Sequence, residues 1–165
     1  HLAFVPSVLS RERRPDDEVC EGSAFAVSRA EIERRRDAGE FLWTIEVHEH
    51  YYCTAKSAVD AALASPHSSI MIVTPDCVPL LTIHTPKKII PFFILPPEKE
   101  VLRARLKLRG DTDRAIELRI ADCEDWTGQA VHSGIAYVFI VNIGTIAQAV
   151  KKILMHLSQK EVSLR

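Results

Sequence analysis

Glycine, long apolar runs and excess charge are all scarce in this sequence, and each shortage excludes a class of protein. The chain has six glycines among 165 residues, none of them clustered, so it holds no glycine-rich loop of the kind that cradles phosphates. Its longest apolar runs, such as 135–143, are far shorter than the roughly 20 residues that a membrane helix requires. The net charge is −1, from 21 basic and 22 acidic residues. We therefore expect neither membrane insertion nor binding to nucleic acid.

The cysteines are too scattered for a zinc ribbon or a disulfide framework. They are Cys20, Cys53, Cys77 and Cys123, with no Cys-x-x-Cys pair among them. This spacing predicts reduced thiols, in the cytoplasm or another reducing compartment.

The length and the composition set the size of the fold. With 165 residues, 47% of them hydrophobic, the chain is long enough for one domain with a core and too short for two ordinary domains. We therefore expect a single domain over residues 1–165. The chain begins with His1 instead of Met, and we expect that an upstream part has been removed.

A capped helix followed by an extended segment is the clearest local pattern. Ser28 is a typical N-cap, Glu31 stands where its capping-box partner belongs, and Gly39 follows the last turn. Together they predict a helix over 28–38. From 41 to 52, β-branched and aromatic residues alternate loosely with charged ones, which is typical of a half-exposed strand.

Hydrophobic periodicity and turn signals predict several further elements. Thr54 is predicted to cap a helix over 55–64. The continuous apolar run 69–73 is typical of a central parallel strand. Amphipathic helices are predicted over 98–109 and 146–157.

Two histidines and a glutamate follow one another at alternate positions. On a strand, Glu46, His48 and His50 would share one face. A metal site could use this pattern, but two imidazoles without a closing ligand favour exposed histidines instead. We expect no metal site here.

The stretch from Gly39 to Thr54 has a recognisable order of residue types. It reads GEFLWTIEVHEHYYCT and resembles the guanylate kinase family, whose usual form is close to GEFLEWAEVHGNYYGTS. Further motifs fall in the family's order: a strand ending in Leu-Pro-Pro at 87–97, the pattern RLxxRGTD with one shift at 105–113, and a last strand at 137–142.

The resemblance implies a fold of the nucleoside monophosphate kinase type. This fold is α/β, a mostly parallel sheet flanked by helices. The nucleotide-binding part would lie at about 11–54 and a lid at about 109–113; the second segment is called the lid below.

The resemblance also implies which residues bind the acceptor nucleotide. They are Ser7, Arg11, Arg14, Tyr52, Thr54 and Asp76. Arg11, Arg14 and Tyr52 would hold the acceptor phosphate, because planar guanidinium groups bind two oxygens of a phosphate at once. The alternatives are a solvated basic turn for the arginines and a half-buried strand aromatic for Tyr52. Asp76 either serves magnesium through water or caps the following segment.

Three further residues are implied on the donor side of the reaction. Arg109 and Arg119 would be catalytic and would steady the transferred phosphoryl group, since phosphoryl transfer needs positive charge at one point. The alternative is an arginine-rich helical surface. Asn142 would bind the cofactor beside adenine.

The sequence departs from the family at several positions. Ala24 replaces a phosphate-contacting tyrosine, while Trp43 and Thr74 replace two acids that read the base. An indole cannot accept hydrogen bonds from guanine. The family's opening loop, GxSGxGKS, which holds ATP through its amides and lysine, is absent from the sequence.

The implied function is therefore phosphoryl transfer from ATP, with Mg²⁺, to GMP or a related nucleotide, by a chain that is truncated or impaired as given. The alternative is a catalytically silent guanylate-kinase-like domain that binds a protein partner. A structural subunit of a larger assembly is a third interpretation, which no sequence feature favours.

Overall fold

The computed structural model describes residues 2–13, 22–85 and 89–162, with side chains up to residue 158. The chain forms two compact units, His1–Lys88 and Ile89–Arg165. The expected single domain, with its nucleotide-binding part near 11–54 and its lid near 109–113, stays a prediction.

The first unit contains five strands and three helices among its described residues. They are β1 (Ala3–Phe4), β2 (Val8–Leu9), α1 (Arg29–Asp37), β3 (Phe41–Val47), β4 (His50–Ala55), α2 (Lys56–Ala64), β5 (Ser69–Ile70) and α3 (Cys77–His84). Strands β1 and β5 pair in parallel, while β2, β4 and β3 form an antiparallel sheet in that order.

The second unit alternates strands and helices. Its described elements are β6 (Phe92–Leu95), α4 (Lys99–Leu108), α5 (Asp113–His132), β7 (Val138–Val141) and α6 (Ile146–Val162). Strands β6 and β7 are parallel, so α4 and α5 form the crossover that a parallel pair requires. Helix α6 packs against β7. Parallel strands flanked by helices confirm the predicted α/β class.

The predicted cap of α1 is confirmed. The Ser28 hydroxyl accepts a hydrogen bond from the Glu31 amide at 3.2 Å, and α1 begins at the next residue. Two bonds of 2.8 Å from Arg34 reach the Glu31 carboxylate and hold the pKa of Glu31 below its usual value. At the other end, Gly39 has a φ of +72°, which glycine adopts without strain. Local sequence signals therefore define both ends of this helix.

The extended segment predicted over 41–52 is in fact a hairpin. Strands β3 and β4 are joined by His48 and Glu49, whose φ angles are +51° and +65°. Two successive residues with positive φ form the tight turn whose twist matches that of the flanking strands. The turn lacks the Asn-Gly signature of such hairpins, which is why the sequence does not reveal it.

Two other expectations about local structure are wrong. Thr54 does not cap α2, because it lies within β4, and Ala55 takes the cap position without a side-chain bond. The strand predicted over 69–73 is limited to Ser69–Ile70, since β1 offers a parallel partner only there. In both cases the pairing of strands, which the local sequence does not encode, decides the outcome.

Each unit has a small core of its own. In the first, Ile32 of α1 lies against one face of the antiparallel sheet, with Val8, Phe41, Tyr51 and Cys53. In the second, the facing sides of α4 and α5 bury Leu106, Ile116 and Ile120. No helix in the described part of the chain is long and apolar enough to cross a membrane.

Ile32→Ala is expected to lower the free energy of unfolding by about 2–5 kcal/mol, because Ile32 is 0% exposed and truncation leaves a cavity. Ile83→Ala is the matched control, since Ile83 is also on a helix but is 84% exposed; its effect should stay within about 0.5 kcal/mol. Urea unfolding monitored by circular dichroism measures both. Equal effects of the two substitutions would contradict this core.

Candidate functional site

One face of the antiparallel sheet carries two of the predicted substrate-binding residues. Directly opposite residues lie on the same face of a sheet, and so do residues two apart on one strand. Thr54 lies opposite Trp43, and Tyr52 opposite both Ile45 and Leu9. Tyr52 and Thr54 therefore share one face, as the family spacing implies.

The opposite face of β4 points into the core. Tyr51 and Cys53 belong to the core cluster around Ile32, whereas Tyr52 is half-buried on the other side. Trp43 is 6% exposed and Thr54 is 4% exposed, and the two residues are direct partners across the sheet, so the indole is buried on the same face as Thr54. The part of this face nearest Thr54 is consequently apolar where the family places a carboxylate.

Ser7 and Arg11 lie on either side of β2. The Ser7 amide donates to the Ser23 hydroxyl at 3.2 Å, and its carbonyl accepts from the Ala24 amide at 3.0 Å. The Arg11 guanidinium lies 5.5 Å from the centre of the Phe25 ring and donates to the Glu12 carbonyl. Arg14 lies outside the described residues. The convergence of Arg11, Arg14 and Tyr52 on one phosphate stays a prediction.

Asp76 stands at the first turn of α3. It occupies the N-cap position without a side-chain cap bond, and its carboxylate accepts a hydrogen bond from the Thr74 hydroxyl. The same hydroxyl lies 3.5 Å from the Cys77 sulfur. A single carboxylate beside a hydroxyl suits a magnesium ion that phosphates and water mainly hold.

The alternating histidines do not share a strand face. His48 lies in the hairpin turn, while His50 begins β4, and the Glu46 carboxylate pairs with Arg29 at 3.0 Å. Within 2–13, 22–85 and 89–162, no group of three or more His, Cys, Asp or Glu side chains could hold a metal ion.

The two predicted catalytic arginines meet at one carboxylate in the second unit. Arg109 is the C-cap of α4 and donates to Asp111 Oδ2. The Arg119 Nε, on α5, lies 3.6 Å from the same oxygen. Asp111 is not among the residues that the resemblance implies, although it directly follows the Arg-Gly pair of the lid motif. The arginines thus converge, and Asp111 is the residue on which they do so.

Asn142 comes directly after β7. Its amide donates to the Leu95 carbonyl, at the end of β6, with a distance of 3.2 Å. The carboxyl ends of parallel strands are where open α/β sheets bind their ligands. Asn142 therefore lies at the end of the sheet where the cofactor-binding role implied by the resemblance would place it.

Comparison with known proteins identifies the family. The family model described as guanylate kinase matches residues 3–160. This chain belongs to the guanylate kinase family. The guanylate kinase of Symbiobacterium thermophilum is 29% identical over 153 residues, which are 92% of this chain and 70% of that protein. The guanylate kinase of Bartonella quintana is 34% identical over 119 residues, which are 72% of this chain and 53% of that protein.

A solved structure agrees at the level of the fold. A crystal structure of guanylate kinase from Anaplasma phagocytophilum matches with a TM-score of 0.70 and 18% identity, and the match covers 96% of this chain and 76% of that one. This guanylate-kinase-like chain spans only about half of several of its relatives, such as the Bartonella quintana protein at 53%.

The thiols near the candidate site are structural in character. Cys53, on the core face of β4, and Cys77, beside Asp76, are both buried. Burial raises the pKa of each thiol, and for Cys77 the contact with the Thr74 hydroxyl offsets this only in part. A thiol with a raised pKa is a weak nucleophile at neutral pH. Cys53 contributes to the packing of the core of the first unit, and Cys77 is buried at the start of α3.

Proposed function

We propose that this chain is a nucleoside monophosphate kinase domain that moves a phosphoryl group from ATP to GMP or a related nucleotide. The proposal is based mainly on the positions of Arg109 and Arg119, whose guanidinium groups both contact Asp111 Oδ2 in the second unit. The Asp111 carboxylate between them balances only one of their two positive charges, so an excess of positive charge remains there to bind a further anion. A transferred phosphoryl group is the negative charge that kinase chemistry brings.

The acceptor nucleotide would bind to the first unit. Arg11, Arg14 and Tyr52 would hold its phosphate. The common face of Tyr52 and Thr54 on β4 supports this assignment, with Thr54 beside the base. Ser7 and Asp76 would complete the substrate-binding residues.

ATP and Mg²⁺ are the cofactors that the proposal requires. Asn142 would lie beside adenine, at the end of β7, and Asp76 would bind Mg²⁺ through water. Magnesium supplies neutralisation of the phosphate charge during transfer. The residues of this chain would then orient the nucleotides around it.

The 165 residues as given would transfer phosphate poorly. Their sequence holds no GxxxxGK[ST] segment, whose backbone amides and lysine position the phosphates of ATP in enzymes of this type. Catalysis of phosphoryl transfer consists of positioning and charge stabilisation. Arginines alone would act on a donor that is not held in place.

A silent protein-interaction domain is the second candidate, and Trp43 favours it. The buried indole occupies the position beside Thr54 where an enzyme of this family reads guanine with a carboxylate. A domain that no longer binds nucleotides does not need a carboxylate to accept hydrogen bonds from guanine. The retained arginines of the lid argue the other way, since a scaffold has no transition state to stabilise.

Base selectivity is expected to be weak because Trp43 and Thr74 replace the carboxylates that would bond to the guanine edge. The dissociation constants for GMP, AMP and UMP, measured by calorimetry, should agree within about threefold, whereas a buried carboxylate would add a discrimination of about 1–3 kcal/mol, which is about 5- to 150-fold. A strong preference for GMP would mean that another group, such as Glu46 or a backbone amide, reads the base.

Arg11→Gln is expected to weaken GMP binding by about tenfold or more, because it removes a charged hydrogen bond to the acceptor phosphate. Arg13→Gln is the matched control, since Arg13 is an exposed arginine two residues away; it should change the affinity by less than about twofold. Calorimetry in a fixed low-salt buffer measures both. Equal losses in the two variants would indicate a general charge effect and would contradict the assigned site.

The chain of 165 residues is expected to transfer phosphate far more slowly than the roughly 1–100 per second of ordinary kinases. A coupled assay of ADP release, with GMP and with dGMP, tests this beside any longer form that the gene encodes. Activity in the longer form alone would identify the chain as part of an enzyme. Ordinary turnover by the chain itself would refute the expected impairment, and silence in both forms would favour the protein-interaction domain.

A further inference from the structure

Asp111 is held between two helix caps. The Gly110 amide donates to the Lys107 carbonyl at 3.0 Å, and the Asp111 amide donates to the Leu106 carbonyl at 3.1 Å. With Gly110 at a φ of +90°, these two bonds form the motif that commonly ends an α-helix. The backbone of Asp111 is thus fixed to the last turn of α4.

The next residue begins α5. Thr112 is the N-cap of this helix, and its hydroxyl accepts from the Ala115 amide at 3.3 Å. A side-chain cap of this kind stabilises a helix by about 1 kcal/mol. Close to the caps, Leu106 packs against Ile116 of α5. Asp111 therefore has almost no conformational freedom relative to either helix.

The arginines that contact Asp111 have no such backbone restraint on their charged ends. A long arginine side chain loses up to about 2 kcal/mol of conformational entropy when it is held in one rotamer. The side chains of Arg109 and Arg119 remain about a third exposed, at 39% and 33%, while the Asp111 side chain is 20% exposed. Of the three groups, the carboxylate is the most enclosed and the best anchored.

We propose that Asp111 is a positioning residue: its carboxylate holds Arg109 and Arg119 together as one binding point for the phosphate groups of a bound nucleotide. This inference rests on the proposed function. One carboxylate between two guanidinium groups leaves a net charge of +1 at this point. Each guanidinium carries five N–H donors, so the hydrogen bond from Arg109 and the ion pair of Arg119 with Asp111 leave donors on both for a phosphate.

The same contacts have a second interpretation, in which Asp111 competes with phosphate for the arginines. The two interpretations predict opposite changes in phosphate affinity when the Asp111 carboxylate is displaced. If Asp111 only occupied the arginines as a competing anion, weakening its contacts would improve phosphate binding. If it positions them, displacing the carboxylate without changing its charge must weaken binding. Asp111→Glu makes this change, since it keeps the charge and adds one methylene group.

Asp113→Glu is the matched control. Asp113 is two residues further along the chain, and its side chain is 89% exposed, with Lys107 Nζ at 3.8 Å. An exposed pair of this kind contributes little to stability or to binding. The two variants share the same chemical change and the same net charge, and they differ in the contact to the arginines.

The experiment titrates inorganic tripolyphosphate into the complete chain by calorimetry at fixed low salt. Asp111→Glu should weaken binding by about tenfold, and Asp113→Glu by less than about twofold. Arg109→Gln and Arg119→Gln should each weaken binding as well. Unchanged or tighter binding by Asp111→Glu, with weaker binding by both arginine variants, would overturn the positioning role and leave the proposed function standing. Wild-type affinity in both arginine variants would overturn the two together.

A spectroscopic measurement keeps the inference testable if Asp111→Glu is unstable. In the wild-type protein, the side-chain nitrogen signals of Arg109 and Arg119 should differ from those of free arginine, because both groups are held by one carboxylate. In Asp111→Glu they should move toward the values of free arginine, while Asp113→Glu should leave them unchanged. Wild-type signals that already match free arginine would overturn the inference.

Discussion

The register of β4 between its two neighbours controls the first unit. Strand β4 pairs with β2 on one side and with β3 on the other, and its side chains alternate between the two faces of the sheet. Tyr51 and Cys53 therefore enter the core, while Tyr52 and Thr54 face away from it. A slip of one residue would exchange the two sets. The core and the candidate site are fixed by the same pairing.

Arg29 connects helix α1 to the turn that sets this register. Its guanidinium donates to the Glu49 carbonyl at 2.9 Å and to the Glu46 carboxylate at 3.0 Å, and it lies 4.3 Å from the centre of the Tyr51 ring. Glu49 has a positive φ, which costs energy for a residue other than glycine. The contacts of Arg29 are well placed to offset that cost. Helix α1, through Ile32 and Arg29, and the strained turn thus act together on one strand.

The sequence predicted those features that local chemistry determines. Ser28 and Gly39 define the ends of α1 because capping involves only neighbouring residues. Thr54 has the residue type of a cap but lies in a strand, because its pairing with Trp43 across the sheet prevails. The role of Asp111 was not predicted, since it depends on the packing of α5 against α4, which brings Arg119 to the lid. Long-range packing accounts for most of what the sequence did not reveal.

The positions that depart from the family and those that agree with it differ in chemistry. Trp43, Thr74 and Ala24 depart at groups that would touch the base or the acceptor phosphate, whereas Arg109 and Arg119 are retained and converge. The phosphate group is the same in every nucleotide, so the residues that bind it work equally well whichever base the nucleotide carries. Loss of base-reading groups therefore does not by itself remove phosphate binding. Two guanidinium groups around the single carboxylate of Asp111 keep an excess of positive charge, which the binding of a phosphate would use and a surface for other proteins would not require.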